Sequence, residues 1–500
     1  MLSQKFTDQE GEPLSGIWAN VVKYGLAVAT IVFYATTLLH FSYTPDDTYI
    51  YLQYARNIAL GNGFSFNAGV PSFGVTSPLW TFLISAGAWS KLDPFIVAKT
   101  FDLVFASLSI IQVFILAFVI LRDRIFAVMA ALLFSLDAWL LRWSGTGMET
   151  SMAILLTVLA VSYAYRNEYV VASFVCGVLT LVRPEAALLF LVIQADNFVN
   201  TTDYKPVLRI FVSSVGIYVG VLTPWLIFSY VQFGTVIPNT LLAKSGTFSL
   251  PGVFETLIES FRVLSVTQLI PLLLLIVGVV EAWRSPQWKA RRVELFPLLW
   301  VAVLFFGYAV QNVQVVSRYL LPVVPFIIVY GLWGLKRITE SWQLPTHRSI
   351  QVLLFVTILT VFQNQVVYQN QMIPHMKNFA AGMNHLKPMA YWLRTNAPTE
   401  ATVLASDAGL LGYVSEKYLY DTAGLITPSV RKSFEGVGYD EGMVQSRYAA
   451  AVWPDFIVDR ASSRARLRSD VIQPIMSVDF PGLGLNKPDT VFYTLYRVSK

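Results

Sequence analysis

Residues 43–80 read YTPDDTYIYLQYARNIALGNGFSFNAGVPSFGVTSPLW, and the fold is decided here. One apolar run precedes this stretch and many follow it, so it reads as the first long loop of a membrane protein. It opens on a carboxylate pair, Asp46-Asp47. Two adjacent acids at the mouth of an apolar span are costly unless solvated, paired or used. The residues behind them predict a short helix, with Asp46 or Asp47 capping its start and Gly61 ending it. Gln53, Arg56 and Asn57 fall at i, i+3 and i+4 and so share one face. Apolar residues such as Ile50, Tyr54 and Ile58 cover the rest. The expectation is a helix lying along the membrane surface, its polar stripe facing a cavity.

Composition agrees with this setting. Of 500 residues, 55% are hydrophobic and only 13% charged, against about a quarter charged in soluble domains. Mean hydropathy is +0.56. A net charge of +5 is too mild to point to nucleic acid and fits cytoplasmic anchoring charges instead. The single cysteine, Cys176, excludes an intramolecular disulfide and a cysteine-based metal site. The first apolar run follows acidic residues and is long enough to span, so it reads as a retained transmembrane helix rather than a cleaved signal.

The apolar runs predict about eleven spans of the roughly 20 residues a bilayer requires. They lie near 21–42, 97–121, 125–142, 149–165, 168–182, 185–199, 208–231, 265–283, 294–311, 319–335 and 349–367. Leu79–Trp89 is apolar but too short, and reads as interfacial or re-entrant. With that choice, alternate gaps collect the basic clusters: Arg122 and Arg124, Arg166, Lys205 and Arg209, Arg284 to Arg292, and Lys336 to Arg348. The positive-inside rule assigns this side to the cytoplasm. The Asp46-Asp47 loop and everything after the last span are then extracytoplasmic. The domain expectation is a transmembrane part over 1–368, with its functional first loop at 43–80, and an extracytoplasmic α/β domain over 369–500.

The opposite face carries mostly single charges. Arg142 and Glu149 flank RWSGTGMET, Arg183 and Glu185 flank Pro184, Lys244 follows FGTVIPNTLLA, and Arg318 ends QNVQVVSR. Such residues are commonly snorkelling anchors. Their convergence on the face of Asp46-Asp47 favours a polar cavity open to the outside, with cations suited to an anionic phosphate. No apolar helix shows the interior charges of an ion-coupled pump.

Beyond about Gln369 charges become frequent and no further span appears. PDFIVDR and TVFYTLYRV read as strands; MAYWLRTNAP and EGMVQSRYAAAV read as helices. Asp407 falls at a strand-to-helix turn before Gly409. It is either a turn or capping residue or one that projects back over the cavity. A Walker A loop, zinc-type His/Cys spacing and GxSxG are all missing. His40 is the one histidine near the Asp pair.

These residues resemble a family. The Asp pair in the first outer loop, the interfacial helix, the many spans and the terminal outer domain resemble the C-type (GT-C) membrane glycosyltransferases. PDDTYIYLQYARNIALGNGFSFNAG and GVTSPLW are similar to the first-loop signature of the terminal arabinofuranosyltransferase family of actinobacteria and its bacterial relatives. GTGMET, VRPEA, FGTVIPNT, SRYLLPVVPF and SDAGLLGY resemble further segments of that family in the same order. Ser72-Phe73-Gly74 and Ala186 depart from its pattern, so the resemblance speaks to class rather than to sugar.

The resemblance implies transfer of a sugar, a pentofuranose such as arabinofuranose among the candidates, from a polyprenyl-phosphate donor. The acceptor would be a cell-envelope glycan, lipid or protein on the outer face of a bacterial inner membrane. It implies a general base at Asp46, so that Asp46→Asn abolishes transfer, with Asp47 orienting the acceptor or helping to hold a metal. Arg183, Lys244 and Arg318 are the candidates for the donor phosphate. Arg56, Asn57, Glu149, Glu185, Asn239 and Asp407 are candidates for sugar or acceptor. Arg and Lys, or a divalent cation such as Mg or Mn on Asp46 and Asp47, would stabilise phosphate charge. The rival expectations are a flippase of lipid-linked sugars and a membrane scaffold whose outer domain binds a partner. The missing internal repeat and the acidic loop argue against the flippase, and the aligned outer charges against the scaffold.

Overall fold

The computed structural model describes residues 16–200, 204–244, 246, 248–284, 295–485, 487 and 489–499. Five helices are long and apolar enough to cross a membrane: Pro94–Leu121, Tyr204–Phe233, Leu250–Arg284, Ser317–Ser341 and Thr346–Asn396. Shorter apolar helices stand at the other expected positions: Lys23–Leu38, Arg124–Ser135, Thr150–Tyr165, Tyr169–Thr180, Ala186–Val199 and Phe296–Val310. The chain is a multi-pass membrane protein. The shorter helices fall below the roughly 20 residues of a full crossing, so the expected number of crossings does not follow from helix length.

Several expected spans are interrupted for identifiable reasons. The run 125–142 breaks after Ser135, because Asp137 caps a new helix by accepting from the Leu140 amide at 2.9 Å. Gln268 donates to the same carboxylate at 2.7 Å. Leu250–Arg284 is kinked at Gln268, just before Pro271. Pro322 sits in a 3-10 turn, Leu321–Val323, inside Ser317–Ser341. The last expected span does not stop at 367. It runs through a π turn, Tyr368–Met372, into Ile373–Asn396. The expected boundary at 368/369 therefore falls inside one continuous helical run.

The loop helix is Asp46–Ala59. Neither Asp46 nor Asp47 caps it; Pro45 occupies the cap position with no side-chain bond. Gly61 ends it as expected, with a positive φ of 79°. Pro78–Trp89 follows as a separate helix of 12 residues, about 18 Å long and too short to cross.

The C-terminal part is a five-stranded mixed sheet in the order β2-β1-β3-β5-β4. The strands are β1 Thr402–Ala405, β2 Tyr418–Asp421, β3 Phe456–Ala461, β4 Ile472–Pro481 and β5 Thr490–Val498. β1 pairs parallel with β2 and β3, and β5 pairs antiparallel with β3 and β4. The strands expected in PDFIVDR and TVFYTLYRV are β3 and β5. EGMVQSRYAAAV forms a short helix, Tyr439–Val444, then a 3-10 turn, Arg447–Ala450.

Candidate active site

The loop helix is held between two bodies, and its faces have different partners. Asp47, Ile50 and Tyr51 line a cavity of about 310 Å³. Asp46, Tyr49 and Arg56 meet the C-terminal helix Gly409–Ser415 and its end: Asp46 at two amides, Tyr49 against the Tyr413 ring, Arg56 on Glu416 at 3.2 Å. A helix turns by about 100° per residue, so adjacent carboxylates point apart.

The cavity gathers the segments that carry single outer charges. Gly74, Val75 and Thr76 come from the first loop, Met148 and Glu149 from GTGMET, Arg183 to Glu185 from VRPEA. Thr240 and Leu241 come from the short helix Asn239–Lys244, and Arg318 and Tyr319 from SRYL. Leu188, Leu304, Gly307 and Val313 give it an apolar side. Leu425 is the contribution of the C-terminal part.

Both arginines are already ion-paired. Arg183 donates to Glu149 at 3.1 Å and to Glu185 at 3.4 Å, and its guanidinium lies over the Tyr319 ring. Burial alone would lower the Arg183 pKa, but Glu149 and Glu185 more than reverse that and leave it above its ordinary value. Arg318 donates to Asp47 and stacks on Trp143 and Tyr319. The Nε of each arginine is buried without a hydrogen-bond acceptor, and Oε2 of Glu149 is buried without a donor. Both guanidinium groups also line the cavity, within reach of an anion bound there. Tyr308 donates to Glu185 at 2.9 Å and closes the ring of polar groups.

The turn carrying Glu149 is fixed from beneath. Asp102, fully buried in Pro94–Leu121, accepts from the Gly147 amide at 3.1 Å, from the Thr146 hydroxyl at 3.3 Å, and from the Ser151 hydroxyl. Trp80 Nε1 donates to the Gly147 carbonyl at 3.1 Å, and the Thr48 hydroxyl to the Thr146 carbonyl at 3.0 Å. Lys99, one turn before Asp102 and also fully buried, donates to the carbonyls of Phe41 and Tyr43. The apolar helix Pro94–Leu121 thus carries two interior charges, Lys99 and Asp102, which the sequence reading did not single out. Lys99 holds the backbone where the first loop begins, and Asp102 holds the turn that carries Glu149. Their signal in the sequence was a Lys and an Asp three residues apart in an apolar run.

A domain of unknown function, DUF8728, matches residues 373–493. Comparison with curated protein sequences returns no match. Among solved structures, ArnT from Cupriavidus metallidurans bound to undecaprenyl phosphate superimposes with a TM-score of 0.52 at 13% identity, over 95% of this chain and 98% of that one. The apo form of the same protein gives 0.51 at 13% identity, over 93% and 97%. The arabinofuranosyltransferase AftD from Mycobacteria gives 0.55 at 16% identity, over 95% of this chain but only 40% of AftD. The chain has the GT-C-type fold.

Within this GT-C-type fold the sequence candidates separate into two groups. Asp47, Glu149, Glu185, Arg183 and Arg318 converge on the cavity. Asp46 does not line it: its oxygens accept from the Gly409 and Leu410 amides at 2.9 and 2.8 Å. Burial, then the nearby Asp407 carboxylate, pushes the Asp46 pKa up to about 7 against those two amides. Arg56 and Asn57 do not face the cavity either. Asn57 donates to the carbonyls of Ser65 at 3.0 Å and Phe66 at 2.7 Å, folding the loop back on the helix. Asn239 donates to the Leu425 carbonyl at 3.1 Å and so borders the cavity through its neighbours. Asp407 stands beside Asp46, bound by Arg460 at 2.9 and 2.8 Å and by the Tyr493 hydroxyl at 2.6 Å. The Lys244 side chain lies outside the described residues. His40 packs on the Tyr368 ring, away from these groups.

The Asp pair does not fit a divalent cation as arranged. One carboxylate is taken by amides and the other by Arg318, and the two point apart. Among the described residues no group of three or more His, Cys, Asp or Glu gathers at one point.

Proposed function

We propose that the chain is an integral-membrane glycosyltransferase that moves a sugar from a polyprenyl-phosphate donor to an acceptor hydroxyl. The observation that carries this is the cavity in which Asp47 meets Arg318 and Arg183 beside an apolar wall. Its chemistry suits a lipid phosphate: guanidinium groups for the phosphate, aliphatic side chains for the first units of the lipid. The ArnT structure that holds undecaprenyl phosphate shares the fold.

Asp47, rather than Asp46, is our candidate for the general base. Asp46 has both oxygens engaged by amides, whereas Asp47 lines the cavity. Arg318 is the counter-ion of Asp47. An arriving phosphate competes for Arg318 and releases the carboxylate. Asp47 then takes the proton of the acceptor hydroxyl as its oxygen bonds to the anomeric carbon. The bond from that carbon to the phosphate oxygen breaks, and the leaving phosphate takes the electron pair against Arg318 and Arg183. Glu149 and Glu185 orient Arg183 and offer acceptors to sugar hydroxyls. By the positive-inside argument, the first loop and a domain formed by residues 369–500 face the outside, and the family resemblance together with this topology makes the membrane a bacterial inner membrane.

The test is release of free polyprenyl phosphate by the purified protein in nanodiscs, over a panel of donors that includes pentofuranoses. Release that requires both an acceptor and Asp47 supports the proposal and identifies the donor. Lipid translocation without release would replace it with a flippase.

A further inference from the structure

We infer that the C-terminal sheet unit is a positioning element of the proposed active site: it grips the loop helix through Asp46 and thereby sets where Asp47 stands in the cavity. The inference rests on the functional reading above for Asp47, but the grip itself does not.

β1 lies between β2 and β3 and runs parallel to both. The chain leaves the carboxyl end of β1 toward β2 and reaches β3 on the other side, which makes this a topological switch point. In open α/β sheets the crevice at such an edge receives ligands, often anionic ones, on the amides of the following turn. Here a carboxylate of the same chain occupies it. Each Asp46 oxygen accepts one amide, Oδ2 from Gly409 and Oδ1 from Leu410. Asp407 at the end of β1, fixed by Arg460 from β3 and Tyr493 from β5, forms the wall.

Two further contacts continue the grip along the loop. The Asn67 side chain pairs with Leu419 on the edge strand β2, donating to its carbonyl and accepting from its amide, both at 2.9 Å. It takes the place of a neighbouring strand at that edge. Arg56 reaches Glu416 at 3.2 Å and lies over the Tyr413 ring at 4.6 Å. The loop is thus held at residues 46, 56 and 67, while Asp47, next to the first of these, turns the other way onto Arg318. A displacement of Asp46 must move Asp47, because both sit on one helical turn.

The experiment uses the full chain in nanodiscs with two readouts: steady-state transfer, and hydrogen exchange at the amides of Gly409, Leu410 and Leu419. Asp46→Ala removes the acceptor. Gly409→Ala builds a Cβ 2.0 Å from the Asp46 carbonyl oxygen and forces the contact apart. Both should speed exchange at residues 409 and 410, and lower kcat by about 10- to 100-fold with donor KM within about twofold. Asp46→Asn keeps one acceptor oxygen and should recover most of what Asp46→Ala loses. Asn67→Ala should speed exchange at Leu419. Where Gly409→Ala impairs folding, Asp46→Ala, which adds no atoms, carries the test.

Accelerated exchange with unchanged kcat would overturn the positioning role. Unprotected amides in the wild type would overturn the grip. An Asp46→Asn protein that keeps amide protection and donor binding but has no activity would make Asp46 the base instead. If Asp47→Asn remains active while the exchange pattern is as expected, the proposed chemistry fails and the grip stands.

Discussion

Asp46 and Asp47 are adjacent in sequence and have opposite partners, amides of the C-terminal part for one and Arg318 for the other. Their substitutions should therefore differ in kind. Asp47→Asn should lower transfer by about 10²–10⁴-fold, the usual worth of a general base. Donor binding, read by titration of the lipid phosphate, should persist because both arginines remain; unimpaired turnover would sink the assignment. Asp46 should appear in stability. Burial, then Asp407, holds its pKa up to about 7, whereas unfolding returns it to about 4. The folded chain binds that proton more tightly, so this contribution is complete below about pH 4 and is lost as pH rises through about 7. The apparent Tm in detergent should fall across that window, and Asp46→Asn should flatten the fall. An equal slope in the variant would mean that other groups govern it.

At the scale of elements, two close fits carry the site. The first is the turn between Trp143 and Thr150, tied to Asp102, Trp80 and Thr48. Asp102→Ala strands two donors in a buried place, the Gly147 amide and the Ser151 hydroxyl, and should cost about 3 kcal/mol, since each buried unmet donor costs about 1–3 kcal/mol. Because Glu149 ends this turn and orients Arg183, donor KM should rise along with the loss in Tm. A changed Tm at constant KM would make Asp102 a folding residue only. The second is the crossing of Leu250–Arg284 with Val324–Ser341. A Cβ on Gly334 would lie 2.1 Å from the Leu274 carbonyl oxygen, and one on Gly278 2.3 Å from the Gly334 Cα. Small residues let membrane helices approach this closely, and Gly334→Ala should destabilise by about 1–3 kcal/mol through overpacking. Thermal unfolding in detergent reads this directly.

Across the whole molecule, the helical run Thr346–Asn396 joins the membrane part to the sheet without a break, so the sheet's place over the loop depends on the last span. The orientation can be tested with single cysteines in a Cys176→Ala background. An impermeant thiol reagent should label Asn384→Cys, exposed near the sheet, from the outside of intact cells. It should label Arg348→Cys, exposed at the other end of the helix, only after permeabilisation. The reverse pattern would invert the topology. The sequence determined the membrane class, the positions of the apolar helices, the loop helix and the strands β3 and β5, because hydropathy and periodicity are local properties. It also singled out Glu149, Arg183, Glu185 and Arg318, which line the cavity, since ionisable residues at apolar ends are conspicuous. Only the tertiary structure decided which member of the Asp pair faces the cavity, because 100° of helix rotation separates them and each direction is set by a partner more than 250 residues away. The same holds for Lys99, Asp102 and Asp137. Asp137 caps its own helix locally through the Leu140 amide, but Gln268, and the partners of Lys99 and Asp102, are groups that only the fold brings to them.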